Sequence, residues 1–109
     1  MNTREQLRLL ILAVLERQPE HGYAIAQAIK ARSDGLLNAR EGTLYPALHV
    51  LEAEGLVESH EHEIGGRVRR EYRLTEKGGG ALAKSRRQWA EQVRAVGAVI
   101  GGGALKAAM

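Results

Sequence analysis

The sequence predicts a mainly α fold with a small β-wing, a winged helix-turn-helix followed by a C-terminal dimerisation helix. Three stretches predict it. Residues 41–55, EGTLYPALHVLEAEG, put Leu44, Leu48 and Leu51 at the 3–4 spacing of one helical stripe, with Ala47 beside them. LVESHEHEI and RVRREYRLT flank Gly65-Gly66 and read as a hairpin rich in arginine. A last helix carries Leu82, Arg86, Trp89, Val93, Val96 and Ile100 in alternating steps of four and three, the period of a heptad seam.

In chain order, Thr3 to about Arg17 is the first helix. Leu7, Leu10, Ile11, Val14 and Leu15 share a face, and Thr3 with Gln6 fits a capping box. Gln18-Pro19-Glu20 breaks it. His21-Gly22-Tyr23 opens a second helix with Tyr23, Ile25, Ala26 and Ile29 as its apolar positions, and Ser33-Asp34-Gly35 ends it. Leu36-Leu37-Asn38 reads as a short extended piece, one strand rung. The third helix starts either at an Asn38–Glu41 capping box or nearer Arg40, and Gly55 sits where a C′ glycine belongs. A short connection between the second and third helices is helix-turn-helix geometry. In the hairpin, Tyr72 and Leu74 share the inward face, and Arg69, Glu71 and Arg73 the other. The Gly78–Gly80 run weakens the first turns of the last helix, which runs over 81–100. Gly101–Gly103 stops it, and the ALKAAM tail is expected to fray. Residues 1–75 form the reading domain and 76–109 the dimerisation helix and tail.

Composition bounds the function. The chain has 109 residues, 44% of them apolar and none of them Phe, so one modest core is built from Leu, Ile, Val and Ala and leans on a partner subunit. Sixteen Lys and Arg against 13 Asp and Glu give a mild +3, too little by itself to imply a polyanionic partner. Distribution matters more: Arg67, Arg69, Arg70 and Arg73 crowd into one strand while acids lie at Glu52, Glu54, Glu58, Glu61 and Glu63. Cysteine is absent, which suits a reducing compartment and leaves no thiol nucleophile. Arg4, Glu5 and Arg8 interrupt the first apolar run, so it is neither a signal peptide nor a membrane span, and a cytoplasmic protein is expected. No nucleophile–base pair or metal motif occurs, and the glycine run does not complete a P-loop, so neither an enzyme nor a cofactor is expected.

Thr43, Tyr45, Pro46 and His49 lie off the apolar stripe of the third helix. With Arg40 at its start they form a candidate DNA-reading face, since a helix N-terminus favours phosphate and its first turns reach base edges. Pro46 is tolerated in the first turn, where its missing N–H costs little. The plainer reading is an exposed helix with Tyr45 half-packed on the second. Arg67, Arg69 and Arg70 on the wing can cross a backbone or enter a narrow minor groove. The plainer reading pairs them with Glu58, Glu61, Glu63 and Glu71 across the strands, Arg67 near the tip being the better DNA contact and Arg73 the better structural pair. Trp89, Val93 and Val96 form either a flat apolar effector pocket or plain dimer core. His60 and His62 share a strand face but are too few for a closed metal site. His21 caps or packs the second helix.

Three pieces, LLILAVLERQPEHGYAIAQAI, GTLYPALHVLEAEGLVES and GGRVRREYRLTEKG, span Leu9 to Gly78 and together resemble the PadR family of bacterial transcriptional regulators. The resemblance implies a winged-helix DNA-binding domain, a dimerising last helix, and a homodimer that usually represses transcription and often releases operator DNA when a small molecule binds. The chain is similar to the small-sized subfamily. In some relatives a tryptophan of the last helix lines an aromatic-binding pocket between subunits, and Trp89 matches it counted from the Arg-Leu-Thr-Glu run, so a flat aromatic effector is implied. Two departures stand out. Val50 occupies a position where many members carry Arg or Lys, and three glycines from Gly78 replace the single one of the pattern, which would loosen the joint between wing and last helix. Two rivals from other classes are a winged-helix protein-interaction module that binds no DNA and a module that sequesters small molecules.

Overall fold

A computed structural model describes residues 2–101. Its elements are α1 (Thr3–Arg17), β1 (Glu20–His21), α2 (Gly22–Arg32), α3 (Glu41–Ala53), β2 (Val57–Ile64), β3 (Arg67–Leu74) and α4 (Glu76–Ile100). The three strands form one antiparallel sheet in the order β1-β3-β2. The fold is thus mainly helical with a small sheet, as the sequence predicts.

α1 is the central helix, touching α2, α3, β3 and α4. That is why its buried set, Leu9, Ile11, Leu12, Val14 and Leu15, is broader than the single predicted face, while Leu7 and Leu10 are only half-buried. Its capping box lies one residue earlier than predicted. The Asn2 side chain accepts from the Glu5 backbone N–H at 2.8 Å, and the Glu5 carboxylate takes the Asn2 N–H in return. Thr3 is already helical, so the Thr3–Gln6 pair does not cap.

The predicted strand rung at Leu36–Asn38 is loop, with Leu36 87% exposed. The rung is instead Glu20–His21, paired with Tyr72 and Glu71. Pro19 ends α1 and leaves the next two residues extended beside the open edge of β3. α2 buries Gly22, Ile25 and Ile29; Tyr23, predicted apolar and inward, is 61% exposed. It ends in a Schellman turn, with the Gly35 N–H bonded to the Lys30 carbonyl and the Asp34 N–H to that of Ala31.

α3 takes the later of its two predicted starts, with Arg40 as N-cap. Leu44, Leu48 and Leu51 are buried as the stripe requires. Its end is also a Schellman motif: the Leu56 N–H bonds the Leu51 carbonyl at 2.9 Å and the Gly55 N–H bonds that of Glu52 at 3.0 Å. β2 and β3 run in register from Val57↔Leu74 to Ile64↔Arg67 around Gly65 and Gly66. Both turn residues have positive φ (58° and 79°), the type I′ geometry of a two-residue hairpin. Tyr72 is buried in the core and Leu74 half-buried, on the predicted inward face.

The glycine run does not interrupt the start of α4. The helix begins at Glu76, and Thr75 caps it by accepting from the Gly78 N–H. The same hydroxyl donates to the Gly55 carbonyl at 2.7 Å, and Lys77 Nζ donates to that of Glu54 at 2.9 Å, stitching α4 to the end of α3. Gly78 is buried against the Leu56 backbone, where a Cβ would collide with the carbonyl oxygen; Gly79 and Gly80 face open space. Gly101 caps α4, as expected. The expected fraying of the tail falls on residues outside those described.

Candidate nucleic-acid interface

Burial of Leu44, Leu48 and Leu51 turns the other side of α3 outward. Gly42, Pro46, His49, Val50 and Ala53 are all exposed there, at helical spacing along one ridge. Of the predicted reading residues, Pro46 and His49 lie on this ridge and Thr43 on its flank. Tyr45 does not project freely. It is half-buried with its ring over Gly22, where an added Cβ would stand 2.7 Å from the hydroxyl. The plainer sequence reading of Tyr45 therefore describes its packing. Thr43 Oγ1 donates to the Arg40 carbonyl at 3.0 Å, so its proton is committed to the helix start. Pro46 is the sixth helical residue and not in the first turn, so it removes an interior hydrogen bond, the one owed to the Gly42 carbonyl. Sequence reasoning missed Gly42 and Ala53 as ridge positions. Both are visible as the 3–4 steps either side of Pro46 and His49.

Arg40 is exposed and makes no side-chain cap. On the wing the arginines divide. Arg70 lies on the core-side face of β3, donating to Ser59 Oγ at 2.9 Å and Glu61 Oε1 at 2.9 Å; Ser59 donates in turn to Glu52 of α3 at 2.5 Å. Arg73 reaches Glu58 at 4.0 Å. Arg67 and Arg69 are exposed and have no ion pair among the described residues. His60 and His62 approach Glu58 and Glu71 at 3.9 and 3.5 Å.

The predicted seam on α4 changes character along its length. Leu82 is buried in the core of its own chain, and Arg86 makes a bidentate pair with Glu16 of α1 at 2.8 and 3.0 Å. These two positions serve the subunit itself. Trp89, Val96 and Ile100 are 42%, 52% and 68% exposed, with Val93 half-buried. A cleft of about 610 Å³ runs between α1 and α4, lined by Arg8, Leu12, Ser85, Gln88 and Gln92 among others. Trp89 stands beside this cleft and not in its wall. No described helix is long and apolar enough to cross a membrane.

A family model described as the transcriptional regulator PadR-like family matches residues 11–84. A transcriptional regulator of Mycobacterium tuberculosis is 39% identical over 93 residues, 85% of this chain and 84% of that protein. A transcriptional regulator from Clostridium thermocellum is similar in structure with TM-score 0.84 at 26% identity, over 90% of this chain and 96% of that one. Bacillus subtilis PadR, solved in complex with operator DNA, is similar with TM-score 0.67 at 26% identity, over 72% of this chain and 45% of that one.

Proposed function

We propose, because this chain belongs to the PadR-like family of transcriptional regulators, that it is a homodimeric repressor which binds operator DNA and is released by a small-molecule effector. Residues 1–75 are the reading head and 76–109 the dimerisation helix and tail. α3 lies in the major groove, Arg40 meets a phosphate at its start, and Arg67 and Arg69 clasp the adjacent backbone. The observation that carries this reading is the α3 ridge: it is exposed, free of acidic side chains and continuous from Gly42 to Ala53. The relative solved with operator DNA supports the same use of the fold.

The distal face of α4, with Trp89, Val93, Val96 and Ile100, joins two copies and sets the separation of their reading heads. Dimeric readers of this kind meet half-sites about one helical turn, roughly 34–36 Å, apart. A flat apolar effector stacks on Trp89 at the mouth of the α1–α4 cleft, whose Ser85, Gln88 and Gln92 supply polar groups to orient it. Occupancy there changes the separation and lowers operator affinity.

The test is fluorescence anisotropy with duplex from the gene's own upstream region against scrambled duplex, at low and near-physiological salt. Selective binding of about 10³-fold or more with a steep salt slope is expected. Equal weak binding to both would reduce the protein to charge attraction, and no binding at low salt would make it an interaction module. Trp89 is the chain's only tryptophan, so quenching of its emission reports the effector directly. A Trp89→Ala dimer that responded to the same effector unchanged would remove that part of the reading.

A further inference from the structure

We infer that this chain specifies its half-site through thymine 5-methyl groups contacted by Pro46 and Val50. The inference rests on the DNA-binding reading above and concerns how the same ridge discriminates sequence. α3 from Glu41 to Ala53 contains no Arg, Lys, Asn or Gln, the side chains that read guanine and adenine edges bidentately. Of its remaining polar groups, Thr43 has its hydroxyl proton committed to the Arg40 carbonyl, and Tyr45 is held over Gly22. His49 alone on the ridge offers a free hydrogen-bonding side chain among the described residues.

What the ridge does present is apolar. Pro46 and Val50, one turn apart, are both exposed and line one wall of an open groove of about 830 Å³ with Gly42 and Thr43. Neither residue is explained by stability. Proline forfeits a helix hydrogen bond at this position, and Val50, 47% exposed on the groove wall and outside the buried core, recovers little of the lower helix propensity of a β-branched side chain. Gly42 adds no bulk, leaving nothing to hold the helix off the floor of a groove. In the major groove the thymine methyl is the apolar group that such side chains can cover.

The full chain first selects duplex from a randomised pool. The selected duplex is then remade with deoxyuridine replacing thymidine one position at a time, which deletes one methyl and leaves every hydrogen-bonding group in place. Loss of about fourfold in affinity is expected at each contacted thymine, the factor for one CH₂-sized group returned to water. Val50→Ala leaves the buried face of α3 untouched and is expected to abolish the deoxyuridine penalty at the position Val50 covers. Selective binding that tolerates deoxyuridine at every position would overturn the inference while leaving the DNA-binding reading intact. Failure to select any sequence would overturn both.

Discussion

Gly22 and Gly78 hold α3 in place by lacking a side chain. A Cβ on residue 22 would press into the Tyr45 ring, and one on residue 78 would meet the Leu56 backbone. The two obstacles differ in softness. A tyrosine ring on the half-buried flank of α3 can swing aside, so Gly22→Ala is expected to cost about 1–3 kcal/mol and to weaken operator binding by displacing Tyr45. A backbone carbonyl cannot move without shifting the junction of α3, β2 and α4, so Gly78→Ala is expected to cost more. Gly79→Ala and Gly80→Ala face open space inside α4 and are expected to stabilise by about 0.5–1 kcal/mol each. Urea midpoints at unchanged m-value test the series. Equal effects at 78, 79 and 80 would mean the close approach of α4 to Leu56 does not exist.

At the scale of elements, the Glu52–Ser59–Arg70–Glu61 chain of hydrogen bonds ties the wing to α3, and this separates two kinds of arginine. Arg67→Ala or Arg69→Ala is expected to weaken binding to all sequences and to reduce the salt slope by about one per lost phosphate contact. Arg70→Ala and Ser59→Ala are expected to weaken binding with the slope unchanged, because they free the wing's angle and not a phosphate contact. A slope loss at Arg70 equal to that at Arg67 would put Arg70 on DNA. Two further ties are ionic. Hydrogen bonds from Arg8 and Arg86 hold the Glu54 and Glu16 carboxyls below the usual carboxylate range. A depressed folded-state pKa gives stability that is present above the unfolded value and lost as pH falls through the folded one. Acid titration of stability should therefore flatten in Arg8→Ala and Arg86→Ala, and, since these pairs lie at the surface, should flatten in high salt as well. Periodicity located α1 to α4, the hairpin and its turn, because each obeys a local pattern. The Glu20–His21 rung was not legible, since two residues carry no period and their pairing with β3 is set by tertiary contact. The exposure of Tyr23 is not legible for the same reason: which flank of a helix meets a neighbour depends on crossing geometry. Of the candidate site, residue types and order along α3 are legible, as is the split between Arg67 at the tip and Arg73 paired at the base, but not the tie of Arg70 to Ser59 and Glu61.

At the scale of the whole molecule, α4 is the element whose length the single chain does not use. Its 25 residues extend about 37 Å, along a molecule measuring 54 × 28 × 23 Å. The first half is fixed by Leu82 in the core and by the Arg86–Glu16 pair. Beyond that, Trp89, Val96 and Ile100 form an exposed apolar strip with half-buried Val93, a surface that isolated monomers seldom display. If this strip joins two copies, charge placed on it should separate them without unfolding either. The double variant Val96→Asp, Ile100→Asp removes no core contact, so its far-UV circular dichroism is expected to match the parent while sedimentation changes from dimer to monomer. Loss of the second reading head removes the effective-concentration advantage of a linked pair, so operator affinity should fall by about 10²–10⁴. The salt slope should fall to about half, since one head contacts half the phosphates. The slope discriminates between explanations: a damaged but still dimeric head would lose affinity while keeping most of its slope. A variant that stayed dimeric with full affinity would place the interface elsewhere and leave the strip as plain surface.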